Sequence, residues 1–272
     1  MNDKKREPAR WVISREMREC TETIKEGEGE TQKEYFISPL GTKGRRILFC
    51  GKITSKTEEG EMTKLVISDS TGAFYVTFFS KDFNQAVKEQ IDLVNQDDTV
   101  MVLGKTSYYR TDEGRMYINI NPESIRTVDE DSVNFWMSRS SFLLRRRIIG
   151  IKELKKSPES SEKTLISMGF SEDEATAMVQ SNSIYETYDV ARMEEILLEI
   201  SAGKVSETTN DLKEKIFELV KQKSSLGGIT YDDIAKEMNI DMQSTQDMDQ
   251  ALSILLGDGE VFEASRRKYK AV

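Results

Sequence analysis

Residues 45–53 read Arg45-Arg46-Ile47-Leu48-Phe49-Cys50-Gly51-Lys52-Ile53, and residues 64–79 read Lys64-Leu65-Val66-Ile67-Ser68-Asp69-Ser70-Thr71-Gly72-Ala73-Phe74-Tyr75-Val76-Thr77-Phe78-Phe79. β-Branched and aromatic residues crowd both stretches, and Asp69-Ser70-Thr71-Gly72 interrupts the second. An Asp side chain that closes a turn, followed by a glycine free to take positive φ, reverses a chain, so a hairpin is predicted here.

Working outward, residues 81–94 carry Phe83, Val87 and Ile91 four apart, one apolar stripe of a helix. Asp97-Asp98 ends it. A fourth strand follows at Thr99-Val100-Met101-Val102-Leu103-Gly104-Lys105, and a last hairpin turns at Asp112-Glu113-Gly114. Five strands with a helix between the third and fourth is the order of an OB-fold barrel, whose sheet face and loops hold single strands.

The chain has 272 residues, 37% hydrophobic and 32% charged, which suits more than one domain. No apolar run approaches the roughly 18 residues of a membrane span, and no secretory leader opens the chain. Cys20 and Cys50 make neither a disulfide framework nor a zinc knuckle, so a cytoplasmic protein without membrane contact is expected. There is no histidine, which removes the common zinc sites and any Ser-His or Cys-His nucleophile. Phosphate-cradling glycine loops are also missing. A non-enzymatic protein without cofactor or metal is the expectation.

Net charge is −9, so any nucleic-acid binding must come from a local patch. Residues 139–156 hold seven basic residues and one acidic, Glu153. In the barrel, alternation along the third strand assigns Phe74, Val76 and Phe78 to the core and leaves Tyr75 and Phe79 outside. Tyr109 with Arg110, at the rim of the last hairpin, is the preferred stacking pair. The candidate nucleic-acid residues are Lys52, Lys64, Tyr75, Phe79, Lys105, Tyr109, Arg110, Arg115 and Tyr117: aromatics to stack bases, cations to meet phosphates.

Domains are expected at 1–34 (arm and linker, with Glu26-Gly27-Glu28-Gly29-Glu30 solvated), 35–130 (barrel), 131–156 (a helix of about 20 residues capped by Ser132), 157–207 (a helical spacer) and 208–272. The apolar stripe Val133, Trp136, Met137, Leu144 and Ile148 packs on the barrel or meets another subunit. Within the spacer, Met168-Gly169-Phe170 before Ser171 resembles the opening of a ubiquitin-associated domain; it also reads as a capping box after a helix-ending glycine. Residues 208–272 give three helices and a hairpin, the order of a winged helix. Asp241, Gln243, Asp247 and Asp249 near its third helix would repel phosphate, which favours docking of a protein over reading of DNA. Arg266-Arg267-Lys268-Tyr269-Lys270 is its one basic tip.

The runs Tyr35-Phe36-Ile37-Ser38-Pro39-Leu40-Gly41-Thr42, Phe49-Cys50-Gly51-Lys52-Ile53-Thr54, Asp69-Ser70-Thr71-Gly72-Ala73-Phe74 and Asn121-Pro122-Glu123-Ser124-Ile125 resemble archaeal replication protein A-associated proteins over residues 11–137. The domain order is similar to that of the second subunit of eukaryotic replication protein A. The resemblance implies an accessory subunit that holds single-stranded DNA in replication, recombination and repair. It places stacking aromatics at Tyr109 and near Phe79, where Ser80 stands instead of a tryptophan. It also implies that the helix after the barrel assembles with other subunits and that the winged helix docks a protein partner. The alternatives are a scaffold whose barrel binds only protein and a regulator that reads duplex DNA.

Overall fold

The computed structural model describes residues 7–29, 32–80, 84–111, 116–156, 161–201, 208–225, 227–238, 240, 246–257, 259–265 and 268–272. They form two compact units, Met1–Gly203 and Lys204–Val272.

The first unit begins with a layer of short elements: β1 (Arg10–Trp11), α1 (Ser14–Arg18), β2 (Glu22–Glu26), β3 (Lys33–Ile37) and β4 (Lys43–Gly44). The expected arm and linker are therefore folded. β2 and β3 pair from Glu22↔Ile37 to Glu26↔Lys33, and the glycine-glutamate run is their turn. Gly27 and Gly29 both take positive φ there, at 88° and 56°, which L side chains resist. Glu30 lies outside the described residues.

The barrel follows: β5 (Arg46–Glu59), β6 (Met62–Asp69), β7 (Gly72–Phe79), α2 (Gln85–Leu93), β8 (Thr99–Arg110) and β9 (Met116–Thr127). β5, β6 and β7 form an antiparallel meander, and β7 joins β9 in parallel at Val76↔Ile120. β9 pairs with β8, and β8 closes on β5 from Arg46↔Lys105 to Lys52↔Thr99. One 14-residue strand serves both neighbours because β5 bends: its register slips between Ile53 and Ser55. Gly51 permits the close approach, since a Cβ there would stand 2.5 Å from the Ser68 carbonyl oxygen. The interior is filled by alternate residues such as Ile47, Phe49, Leu65, Ile67, Phe74, Val76 and Ile120. Phe49 and Phe74 stack with centroids 3.9 Å apart. Phe83 of the expected stripe falls outside the described residues; Val87 and Ile91 are buried as the stripe requires.

Four helices complete the unit: α3 (Glu130–Lys156), α4 (Glu162–Ser167), α5 (Glu172–Ile184) and α6 (Ala191–Ser201). α3 runs 27 residues, longer than expected. Its cap is Asp129 rather than Ser132: the Ser132 N–H donates to the Asp129 carboxylate at 2.9 Å, and hydrogen bonding from the Ser132 side chain and then from this N–H holds the Asp129 pKa below its ordinary value. Gly150 sits inside the helix because a Cβ would meet Met178 Cε at 2.3 Å and Phe170 Cζ at 2.9 Å.

The stripe offered for a partner is occupied by the chain itself. Trp136, Leu144 and Ile148 are buried, and Val133 and Met137 pack against the same core. Trp136 donates its indole N–H to the Leu48 carbonyl of β5 at 3.4 Å. An apolar stripe takes whatever apolar surface lies nearest, and here that is the barrel and α4–α6.

Nor are residues 161–201 a spacer. The Ser181 hydroxyl donates to the Ser38 carbonyl at 2.7 Å, and the Tyr185 hydroxyl donates to the Ile37 carbonyl at 2.9 Å while accepting from the Thr21 and Glu22 N–H groups at 3.0 Å. Ser171 and Glu174 form the anticipated capping box of α5. Beneath these contacts Glu16 of α1 is fully buried. Its carboxylate accepts from the hydroxyls of Ser38 and Thr42, and from Arg147 of α3 at 2.7 Å.

In the second unit, α7 (Thr208–Ser224), β10 (Ile229–Thr230), α8 (Tyr231–Glu237), α9 (Gln246–Gly257), β11 (Val261–Ser265) and β12 (Lys268–Ala271) enclose Ile216, Val220, Ile234, Met248, Leu252, Leu255 and Val261. The strands lie in the order β10-β12-β11. The Thr230 hydroxyl accepts from the Asp233 N–H at 3.2 Å and caps α8. Asp241, Gln243, Arg266 and Arg267 are outside the described residues, as are the side chains of Asp247 and Asp249. Tyr269 of the expected basic tip is buried and belongs to the core.

A charge enclosed with its counter-charge is costly to orphan. Glu16→Ala leaves Arg147 without its carboxylate and should cost about 3–5 kcal/mol. Both tryptophans, Trp11 and Trp136, lie in the first unit, so urea unfolding followed by tryptophan fluorescence reports that unit alone. A loss below about 1 kcal/mol would show that the pair does not hold the layers together.

Candidate nucleic-acid interface

Alternation along β7 buries Phe74, Val76 and Phe78 and turns Tyr75, Thr77 and Phe79 outward. Tyr75 and Phe79 are 41% and 46% exposed. On the neighbouring strands Tyr117 (39%) and Tyr109 (67%) also face out. Register joins them into one surface: Val66 lies opposite Tyr75, Lys64 opposite Thr77, and Tyr109 opposite Tyr117. β7 and β9 are tied by the Thr77 hydroxyl, which donates to Asn119 Oδ1 at 2.9 Å. Each of the four aromatic residues keeps between 39% and 67% of its surface in solvent, and each could stack a base for about 1–3 kcal/mol.

The cations are arranged differently from the expectation. Lys64 is exposed on this face and pairs with Glu59 at 2.8 Å. Lys52, opposite Ser68 and Thr99, pairs with Asp97 at 2.7 Å. Such exposed pairs are worth up to about 1 kcal/mol, so a phosphate oxygen can replace either carboxylate. Lys105 is exposed and forms no ion pair among the described residues.

Arg110 does not accompany Tyr109. Consecutive strand residues point to opposite sides, and Arg110 turns to the N-terminal layer, donating to the Thr21 carbonyl and pairing with Glu22, both at 3.3 Å. Arg115 lies outside the described residues. Tyr108 points inward with Tyr108 Oη 2.7 Å from the Thr106 hydroxyl, and burial pushes its pKa up to about 12.

The face thus unites Lys64, Tyr75, Phe79, Lys105, Tyr109 and Tyr117. It also carries Ser107, Asn119 and Asn121, which sequence reasoning passed over. Their signal was the strict alternation Tyr117-Ile118-Asn119-Ile120-Asn121, in which Ile120 is buried and the odd positions must face out.

The β6–β7 turn that aims Tyr75 and Phe79 is clamped to α1. Asp69 Oδ1 accepts from the Ser14 hydroxyl and from the Thr71 N–H and hydroxyl, all at 2.7 Å, and Oδ2 accepts from the Ser14 N–H at 2.8 Å. Burial raises the Asp69 pKa above its ordinary 3.8, and these hydrogen bonds offset part of that rise. Among the described residues no group of three His, Cys, Asp or Glu could hold a metal ion, and no helix is long and apolar enough to cross a membrane.

The family described as an OB-fold nucleic acid binding domain matches residues 47–128, which are the barrel. No curated protein matches the chain. Among solved structures, a chain of the S. pombe Stn1–Ten1 complex is similar at 15% identity and a TM-score of 0.38, covering 48% of this chain and 88% of that one. A chain of a replication protein A heterotrimer bound to single-stranded DNA is similar at 15% identity and a TM-score of 0.36, covering 52% and 98%. The mitochondrial single-stranded DNA binding protein Rim1 of S. cerevisiae is similar at 19% identity and a TM-score of 0.26, covering 31% and 94%.

A carboxyl whose pKa is raised on folding favours the native state while protonated, and that contribution is lost as pH rises from 3.8 through the folded value. The stability gap between wild type and Asp69→Ala should therefore narrow as pH climbs from about 3.8 toward neutrality, by about 1.4 kcal/mol per unit of raised pKa. Urea midpoints measured across that range test this. A gap that widens would contradict the enclosure of Asp69.

Proposed function

We propose that this chain is a non-enzymatic, cytoplasmic accessory subunit of a replication protein A-like complex that holds single-stranded DNA. The observation that carries the reading is the outward row of Tyr75, Phe79, Tyr109 and Tyr117 on a closed barrel. Buried rings would be packing; rings left in solvent on one face are a stacking platform. The family match over the barrel and the resemblance of residues 11–137 to replication protein A-associated proteins support the same reading.

Bases stack on the four rings, while Lys64 and Lys105, with Lys52 beyond them, track phosphates. With a net charge of −9 the chain binds weakly by itself and acts within an assembly. Its partner subunits meet α3 not on the buried stripe but on the opposite side, where Phe135, Phe142 and Ile149 are exposed seven residues apart. The second unit is read as a winged helix that docks a protein, with exposed Phe262 on its hairpin.

Fluorescence anisotropy with labelled oligo-dT, at low salt and with salt titrated, tests the reading. Tyr109→Ala and Phe79→Ala should each weaken binding by about 1–3 kcal/mol. Lys105→Ala should flatten the salt slope by about 0.7. Oligo-dT affinity unmoved by all three substitutions would favour a barrel that binds only protein.

A further inference from the structure

Register orders the outward face of β5, β6 and β7 into rows. Along β6 they follow one another: Ser68 with Lys52 beside it, Val66 beside Tyr75, then Lys64, then Met62 between Glu59 and Phe79. Rows lie two residues, about 7 Å, apart. A lysine, a ring, a second lysine and a second ring therefore alternate along one path. On the single-strand reading proposed above, from which this inference starts, a base on Tyr75 has a cation for a phosphate in the row on either side.

Each lysine already holds an anion. Lys52 pairs with Asp97 at 2.7 Å and Lys64 with Glu59 at 2.8 Å. The backbone puts both carboxylates there. Asp97 is the one non-glycine with positive φ among the described residues, at 74°. Its N–H donates to the Ile53 carbonyl at 2.9 Å, and the Ile53 N–H donates to the Asp98 carbonyl at 2.8 Å. The residue next to Lys52 thus pins the turn, and a short side chain delivers its charge to that lysine. Glycine or asparagine takes positive φ at least as readily, so the turn itself does not require a carboxylate. Glu59 is placed by the hairpin turn at Gly60, φ 61°, which sets it opposite Met62, two residues from Lys64.

We infer that Asp97 and Glu59 are competing residues: in the free protein they occupy the two lysine positions that the phosphates of a bound strand take. Exchanging one exposed ion pair for another is nearly even, so a polyanion without bases gains little from Lys52 and Lys64. A strand that also stacks on Tyr75 and Phe79 gains the rings in addition. The two carboxylates thereby shift the selectivity of the groove from charge to stacking.

Anisotropy of the full chain with labelled oligo-dT tests this at about 0.1 M salt, where charges more than about 10 Å apart are screened. Asp97→Asn and Glu59→Gln should each bind about threefold more tightly than wild type. The double variant should gain about tenfold, because the pairs lie two rows apart and act independently. Asp92→Asn makes the same charge change at an exposed position of α2 and should gain less than about 1.5-fold. In a Lys52→Ala background Asp97→Asn should gain no more than Asp92→Asn does, and Glu59→Gln likewise in Lys64→Ala. Circular dichroism of each variant verifies the fold. Gains no larger than that of Asp92→Asn, or gains that persist without the lysines, would overturn the competition; Tyr109→Ala still weakening oligo-dT would leave the stacking platform standing. No binding of oligo-dT by any variant would overturn both.

Discussion

The first unit depends on one buried charge pair. Glu16 comes from a five-residue helix near the N-terminus, Arg147 from the long helix after the barrel, and Ser38 and Thr42 from the turn between them. None of these elements could stand alone. A helix of five residues is far below the length at which helices persist in water, and a three-stranded edge layer has little core of its own. Enclosing Glu16 against Arg147 ties three distant parts of the chain to one point. A buried carboxylate tolerates few arrangements, so the pair sets their register as well as holding them.

That arrangement settles what each surface of the barrel is free to do. Trp136 and the stripe below it cover β5, while the Asp69–Ser14 clamp fixes the turn from which β7 departs. On β7, β8 and β9 the outward Tyr75, Phe79, Lys105, Tyr109 and Tyr117 remain exposed. The outward residues of these strands are mainly aromatic and amide rather than charged, which suits a groove in an acidic protein. Stacking needs no favourable net charge, and a few lysines released from exposed carboxylates can serve the phosphates.

Much of this was legible in the residues. Period-two alternation assigned Phe74, Val76 and Phe78 to the interior and Tyr75 and Phe79 to the outside, because burial on a strand permits no other register. The same rule, applied one residue further, would have separated Tyr109 from Arg110. The N-terminal hairpin was hidden because a glycine-glutamate run has the composition of a solvated linker, and the pairing that makes it a turn lies in residues on either side. The α3 stripe was visible but its occupant was not: apolar spacing says that a face is buried, never against what. Glu16 left no signal at all, since a lone carboxylate becomes special only once Arg147, more than a hundred residues away, is folded against it.

The central claim is that single strands lie across the outward face of β6 to β9. Photocrosslinking of the full chain to 4-thiothymidine-substituted oligo-dT, with adducts mapped by mass spectrometry, tests it most directly. A groove built on Tyr75, Phe79, Tyr109 and Tyr117 predicts adducts on those rings, abolished by competing unlabelled oligo-dT. Adducts confined to residues 130–156 or 261–271, with none between 62 and 121, would contradict it.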